Sequence, residues 1–269
     1  MGYSQANVLV SGLHGFKSGR DVTEACFNSA SGLFAGLQPF GMLAGTQDCQ
    51  GTFGSDKWRA ADWVITAIGG AGTTLVPSDA APSQATFVTR ATADGDGYNI
   101  QWSKDGGTTV SEIFKPTAGQ VIVVYGRIKA DNASTDAHTK SRFHFGLSDT
   151  NTDIHNADDD VAMIYKASGA ATMVGRIAAG GTATDTSALS NSFVDNTYIQ
   201  LGIRINGVTS VEFWQGTGST IGGMSKVATQ TTVTNIPDEE LALSFQLETS
   251  EAAAITAYLQ HMVAFQEAI

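Results

Sequence analysis

At 269 residues, 42% apolar and only 15% charged, the chain can bury a sizeable core in one large domain, or one domain plus an extension, without disulfides or metal. A formal charge of −11, with no basic cluster wider than Lys140 to Arg142, argues against a nucleic-acid groove and against an anionic membrane surface. Two cysteines, Cys26 and Cys49, are too few for a disulfide framework.

The opening MGYSQANVLVSG has neither the basic start nor the long apolar run of a secretion signal, so reduced thiols are expected over a single bridge. Gly2 invites myristoylation, but Ala6 stands where Ser or Thr is wanted. No apolar run approaches the ~20 residues that span a bilayer.

Residues 1–60 read as an N-terminal arm rich in Gly, Ser and isolated phenylalanines: Phe16, Phe34, Phe40 and Phe53. A short helix over Thr23 to Leu37 is weakened by Gly32 and Gly36. The arm has too few contiguous apolar residues to fold alone, so its phenylalanines pack either on the main domain or on another chain.

Residues 61–269 have a β texture. DWVITAI, ATFVTRAT and YNIQWS come first, separated by glycine-rich turns. In VIVVYGRIKA, Ile122, Val124, Gly126, Ile128 and Ala130 share an uncharged parity that goes inward. Val121, Val123, Tyr125, Arg127 and Lys129 share the other, exposed toward the strand's end. SRFHFGLS sets Phe143 and Phe145 against Arg142, His144 and Gly146. VAMIYKA and ATMVGRIA follow. In TYIQLGIRI, Ile199, Leu201, Ile203 and Ile205 alternate with Gln200, Gly202 and Arg204. Asn206-Gly207 then marks a hairpin into TSVEFWQG.

Near the end Leu241, Leu243, Phe245 and Leu247 face inward. Ile255, Ala257, Leu259, His261, Val263 and Phe265 share one parity of a long closing strand, although the composition of AAAITAYLQHMVAFQ also suits a helix. Roughly twelve short strands without a convincing helix predict an all-β, two-sheet antiparallel β-sandwich or jelly roll.

The stretch SDTNTDIHNADDD is the most conspicuous candidate for chemistry. Asp149, Asn151, Asp153, His155 and Asp160 fall at positions 1, 3, 5, 7 and 12 of an EF-hand count. Ile154, however, replaces the obligatory glycine and the flanks read as strands. A solvated connection of Asx turns is the expectation, with Asp149, Asn151, Asp153 and Asp160 as the calcium set if one forms. The histidines His14, His138, His144, His155 and His261 show no zinc-ligand spacing. No Glu-x-Asp-x-x-Glu run, Gly-x-Ser-x-Gly or P-loop occurs, and Glu248 and Glu251 are spaced for opposite faces or a turn. No catalytic residue and no cofactor are therefore expected. Trp58, Trp63, Trp102 and Trp214 read mainly as core or near-core residues.

From about Asp62 to Glu267 the order and spacing of ADWVI, FKPTAGQVIVVYGRIKA, FHFGLSDT, VDNTYIQLGIRINGVTSVEFW, NIPDEELALSFQLE and YLQHMVAFQE resemble lectin-like (concanavalin-type) jelly-roll domains in virion proteins of tailed bacteriophages. Some such proteins are head decoration, or cement, proteins. The final strand departs from that pattern at Gln260-His261, where Asp-Tyr is common, and at Glu267-Ala268, where Glu-Arg is common.

The resemblance implies a non-enzymatic structural protein on the outer surface of the phage head. Its partners would be the major capsid protein and copies of itself, a cyclic trimer among the closed forms. Phe16, Phe34, Phe40 and Phe53 are the expected shell contacts. The alternative is a carbohydrate-binding module on the virion surface or tail that attaches to host glycans, with Trp102 and Trp214 stacking on sugar.

Overall fold

In the computed structural model the described residues are 44–48, 63–69, 74–78, 84–88, 95–103, 107–132, 134, 136–150, 152–154, 160–217, 224–251 and 254–268. They form fifteen strands: β1 (Ala44–Asp48), β2 (Trp63–Ile68), β3 (Thr74–Ser78), β4 (Gln84–Val88), β5 (Gly97–Trp102), β6 (Gln120–Asp131), β7 (Ser141–Ser148), β8 (Val161–Lys166), β9 (Met173–Ala179), β10 (Thr182–Asp185), β11 (Ile199–Asn206), β12 (Ser210–Gly216), β13 (Ser225–Gln230), β14 (Ala242–Thr249) and β15 (Thr256–Ala268). One helical turn, α1 (Ala137–Lys140), precedes β7.

Two antiparallel sheets result, as the alternation predicts. The eight-stranded sheet runs β13-β12-β11-β6-β15-β4-β3, with β1 also paired to β15; the seven-stranded sheet runs β10-β9-β8-β7-β14-β5-β2. The core lies between them. Ile122, Val124 and Ile128 of β6 and Leu201, Ile203 and Ile205 of β11 belong to the same buried cluster as Phe143, Phe145 and Leu147 of β7 and Leu243, Phe245 and Leu247 of β14. Each such side chain contributes about 1.5–3 kcal/mol by leaving water. Gly175 of β9 is the close-approach point: a Cβ there would lie 2.4 Å from the Phe213 ring of β12, so only a residue without a side chain admits that ring.

Four strands were not anticipated individually. β3, β10 and β13 are sheet edges. β10 is polar and largely exposed, β13 is half exposed with Val227 and Ala228 packed against the core, and β3 contains Pro77, which an edge tolerates because it lacks the ladder donor. The fourth, β1, falls inside the expected arm and pairs antiparallel with β15. The remainder of that arm, with the expected helix, Phe16, Phe34, Phe40, Phe53, Cys26, Cys49 and Trp58, lies outside the described residues.

The closing strand is a strand, but its single parity is corrected. A β-bulge between Leu259 and His261 adds one residue. Core-facing positions therefore pass from Ile255, Ala257 and Leu259 to Met262 and Ala264. The hairpin at Asn206-Gly207 joins β11 to β12 as expected, with Gly207 at φ +54°.

Candidate functional site

The outer face of the seven-stranded sheet is built from the polar parity of its strands. Register places Thr66, Asn99, Gln246, His144, Tyr165 and Val174 in one row across β2, β5, β14, β7, β8 and β9. The neighbouring row holds Val64, Gln101, Ser244, Gly146, Met163, Arg176 and Asp185. Glu248 and Arg142 lie opposite each other on the other side. Asn99, Gln101, His144, Gln246 and Glu248 are buried although they face away from the core.

Residues 149–150 and 152–154 explain part of that burial. They fold back across the face as a strap. Asn99 Nδ2 donates to the carbonyls of Thr150 at 3.3 Å and Thr152 at 2.9 Å, and Gln101 Nε2 donates to the Ser148 carbonyl at 3.3 Å. The Ile154 amide donates to Gln246 Oε1 at 2.9 Å, and Gln246 Nε2 donates to Asp153 Oδ1 at 2.7 Å and also to Glu248 Oε1. Ile154 itself fills an apolar patch with Val161, Met163 and Ala178. The expectation of a merely solvated acidic connection is thus corrected for its first half. The signal was the isoleucine: an apolar residue amid aspartates needs somewhere to go.

Electrostatics distinguish the buried from the exposed part. Arg142 grips Glu248 through Nε at 2.6 Å and Nη2 at 2.5 Å. Burial, then the nearby Asp153, push the Glu248 carboxyl up to about 7 against the lowering pull of Arg142. His144 stacks on Tyr165 with ring centroids 4.8 Å apart and 12° between planes. The Arg176 guanidinium lies 4.6 Å over the Tyr165 ring, and burial raises the Tyr165 phenol. Arg176 is also forked onto Asp185, at 2.7 Å through Nε and 3.0 Å through Nη2. Arg142, Tyr165 and Arg176 are partly open to solvent, and Asp185 is exposed. This margin offers guanidinium donors and carboxylate acceptors in fixed planes, suited to paired hydroxyls, with a near-neutral carboxyl group behind them.

The described calcium candidates are held by different partners. Asp160 Oδ1 accepts the Gly180 amide at 2.7 Å, and its Oδ2 accepts the amides of Asp238 at 2.9 Å and Glu239 at 3.2 Å. Asp153 accepts from Gln246 and Asp149 from the Thr150 hydroxyl; Asn151 and His155 lie outside the described residues. Among the described residues no three His, Cys, Asp or Glu side chains group as a metal site. Trp102 packs edge-on against Trp63 at 5.2 Å, and Trp214 is only 8% exposed, so the structure offers no open indole face at Trp214.

Sequence reasoning missed Asn99, Gln246, Glu248, Tyr165, Arg176 and Asp185 as neighbours. The available signal was side-chain amides and charges at every second position opposite apolar residues in YNIQW and SFQLE.

No family model and no curated protein sequence matches the chain. Solved structures share its sandwich. One is a protein of unknown function from Shewanella oneidensis, at 12% identity and TM-score 0.48, covering 77% of this chain and 80% of that one. Another is an alginate lyase of polysaccharide lyase family 7, at 12% identity and TM-score 0.48, covering 77% of this chain and 95% of the lyase. A third, from work on ganglioside-dependent cell entry of botulinum neurotoxin type C, is 8% identical with TM-score 0.46, covering 76% of this chain and 43% of that one. At such identities the likeness concerns the β-sandwich alone. The expectation of a non-enzyme is withdrawn: a β-sandwich does not by itself decide for or against catalysis.

Proposed function

We propose that the protein is a carbohydrate-binding β-sandwich carried on a virion, with the glycan lying along Arg142, Tyr165, Arg176 and Asp185. The carrying observation is the preorganised Arg176. It is forked onto Asp185, laid over Tyr165, and Tyr165 is backed by His144. Rigid placement on adjacent strands lowers the ordering cost of binding. This replaces tryptophan stacking by planar hydrogen bonding as the mode of contact.

The virion setting rests on the sequence resemblance. Within that setting the chain sits on the head or tail surface, and head decoration, with the major capsid protein as partner, is the second role the resemblance supports.

The test is retention of the full chain on a panel of neutral and acidic polysaccharides. At least one class is retained, and Arg176→Ala reduces retention at least tenfold with an unchanged circular dichroism spectrum. Absence of retention on every polysaccharide, or equal retention by Arg176→Ala, overturns the reading. The same incubations, followed by size analysis of the polysaccharide, show whether the bound polymer is also shortened. Mixing with undecorated heads tests decoration separately.

A further inference from the structure

The eight-stranded sheet carries a cationic site of its own on the opposite side of the molecule. Lys129 of β6 lies opposite Tyr258 of β15, and Tyr198, immediately before β11, flanks it on the other side. The Lys129 ammonium is 4.4 Å from the Tyr258 ring centroid and 5.2 Å from that of Tyr198. Arg127, two residues back on the same face and so ~7 Å along the strand, sits 4.2 Å over Tyr198. All four side chains are partly open to solvent.

Lys129 differs from the other described lysines. Lys115, Lys140 and Lys226 each pair with a carboxylate, and Lys166 is buried. Among the described residues no carboxylate pairs with Lys129; its Nζ donates instead to the neutral Oδ1 of Asn196 at 2.7 Å. Asn196 is the one described non-glycine residue with positive φ, 49°, and its amide is tied to the Ala130 carbonyl at 2.8 Å. A disfavoured backbone conformation thus presents a neutral oxygen to the ammonium. The ammonium is fixed in place by a neutral acceptor, with no ion pair to it among the described residues, in a chain whose net charge is −11.

We propose that Lys129 and Arg127, walled by Tyr198 and Tyr258, bind an oxyanion, a carboxylate or sulfate, presented by an acidic sugar. Two cations one strand repeat apart match a compact anion, and guanidinium and ammonium bond it in complementary ways. Tyr198 is pushed up to about 12 and Tyr258 upward, both chiefly by burial, so both phenols stay protonated as donors at neutral pH. Asp131, which acts on Tyr258, repels anions from that side and leaves the approach over Arg127. The site stands whether or not the Arg176 face binds glycan.

The test is NMR titration of the full chain at low ionic strength with sodium sulfate, sodium glucuronate and an oligosaccharide of uronic acids, against sodium chloride. Saturable shifts are expected around residues 127–131, 196–198 and 258. Lys129→Gln and Asn196→Asp abolish them; the aspartate tolerates the same backbone and supplies the missing counter-charge. Tighter binding of the oligosaccharide than of free sulfate supports the sugar as the source. Equal weak shifts with chloride, no saturation by any of the three, free sulfate binding as tightly as the oligosaccharide, or undiminished shifts in Asn196→Asp overturn the proposal.

Discussion

Arg142 holds Glu248 by two nitrogens, at 2.6 and 2.5 Å, while the Glu248 side chain has no exposed surface and the Arg142 side chain is 18% exposed. The pair stands at the edge of the strap-covered face, and Gln246 links it to Asp153. Removing one partner of such a pair strands a buried charge, which costs more than the pair itself contributes.

Arg142→Ala is therefore expected to destabilise the protein by about 3–5 kcal/mol above pH 7. Below pH 7 the loss is smaller, because an unpartnered Glu248 stays protonated once the lowering influence of Arg142 is gone. Adding Glu248→Gln to Arg142→Ala recovers much of the loss at high pH. Urea denaturation at pH 6 and pH 8.5 checks both statements; equal losses at the two values would break the link to ionisation.

Asp160 is a clamp for backbone amides. Its carboxylate joins the β8 entrance to the β9–β10 turn at Gly180 and to the segment at Asp238 and Glu239. Asp160→Ala leaves three amides without this acceptor, and a loss of about 2–4 kcal/mol is expected. Asp160→Asn keeps one acceptor oxygen and loses less. Added calcium leaves the wild-type Tm unchanged; a calcium-dependent rise that Asp160→Asn abolishes would assign the carboxylate to a cation instead.

Gly175→Ala forces a Cβ into the Phe213 ring, with contacts of 2.4 and 2.5 Å. Phe213 is fully buried between the sheets, so the ring has little room to yield. A loss of about 1–3 kcal/mol is expected. Phe213→Leu in the same chain should relieve part of it, and a thermal melt of the two single variants and the double variant reads the coupling.

Central strands were legible because both their neighbours and their core face constrain them. β6, β11 and β14 keep strict alternation, and the predicted inward residues Ile122, Val124, Leu201, Ile203, Leu243 and Phe245 are all in the core. Edge strands such as β10 and β13 carry less of this constraint, and their polar residues read as loop. The bulge after Leu259 is invisible in a composition that alternates smoothly. The polar face was half legible. Arg142 and His144 stood out opposite Phe143 and Phe145, but only the register of β5, β14 and β7 brings Asn99, Gln246 and His144 into one row. Pairing between segments more than a hundred residues apart leaves no local trace, so the Arg142–Glu248 contact could not be read from spacing.

Two buried groups predict an unusual pH profile. Lys166 is fully buried, with its ammonium donating to the carbonyls of Ser141 and of Ala167 at 3.1 Å, and burial lowers it from 10.5 to about 7. Glu248 is raised from 4.5 to about 7. Between about 4.5 and 7 the folded state keeps the Glu248 proton that the unfolded chain has released, so stability from this group falls as pH rises and then levels off. Between about 7 and 10.5 the unfolded chain keeps the Lys166 proton that the folded state has released, so stability from this group rises with pH. Each limb has a slope of at most about 1.4 kcal/mol per pH unit. Together they place a minimum near neutrality in the combined contribution. Glu248→Gln removes the falling limb and Lys166→Met the rising one, each without touching the other. Urea midpoints measured in half-unit steps from pH 5 to 9.5 read both limbs. A wild-type profile that peaks at pH 7, with neither variant altering its shape, would show that the two groups titrate at their ordinary values and that water reaches both.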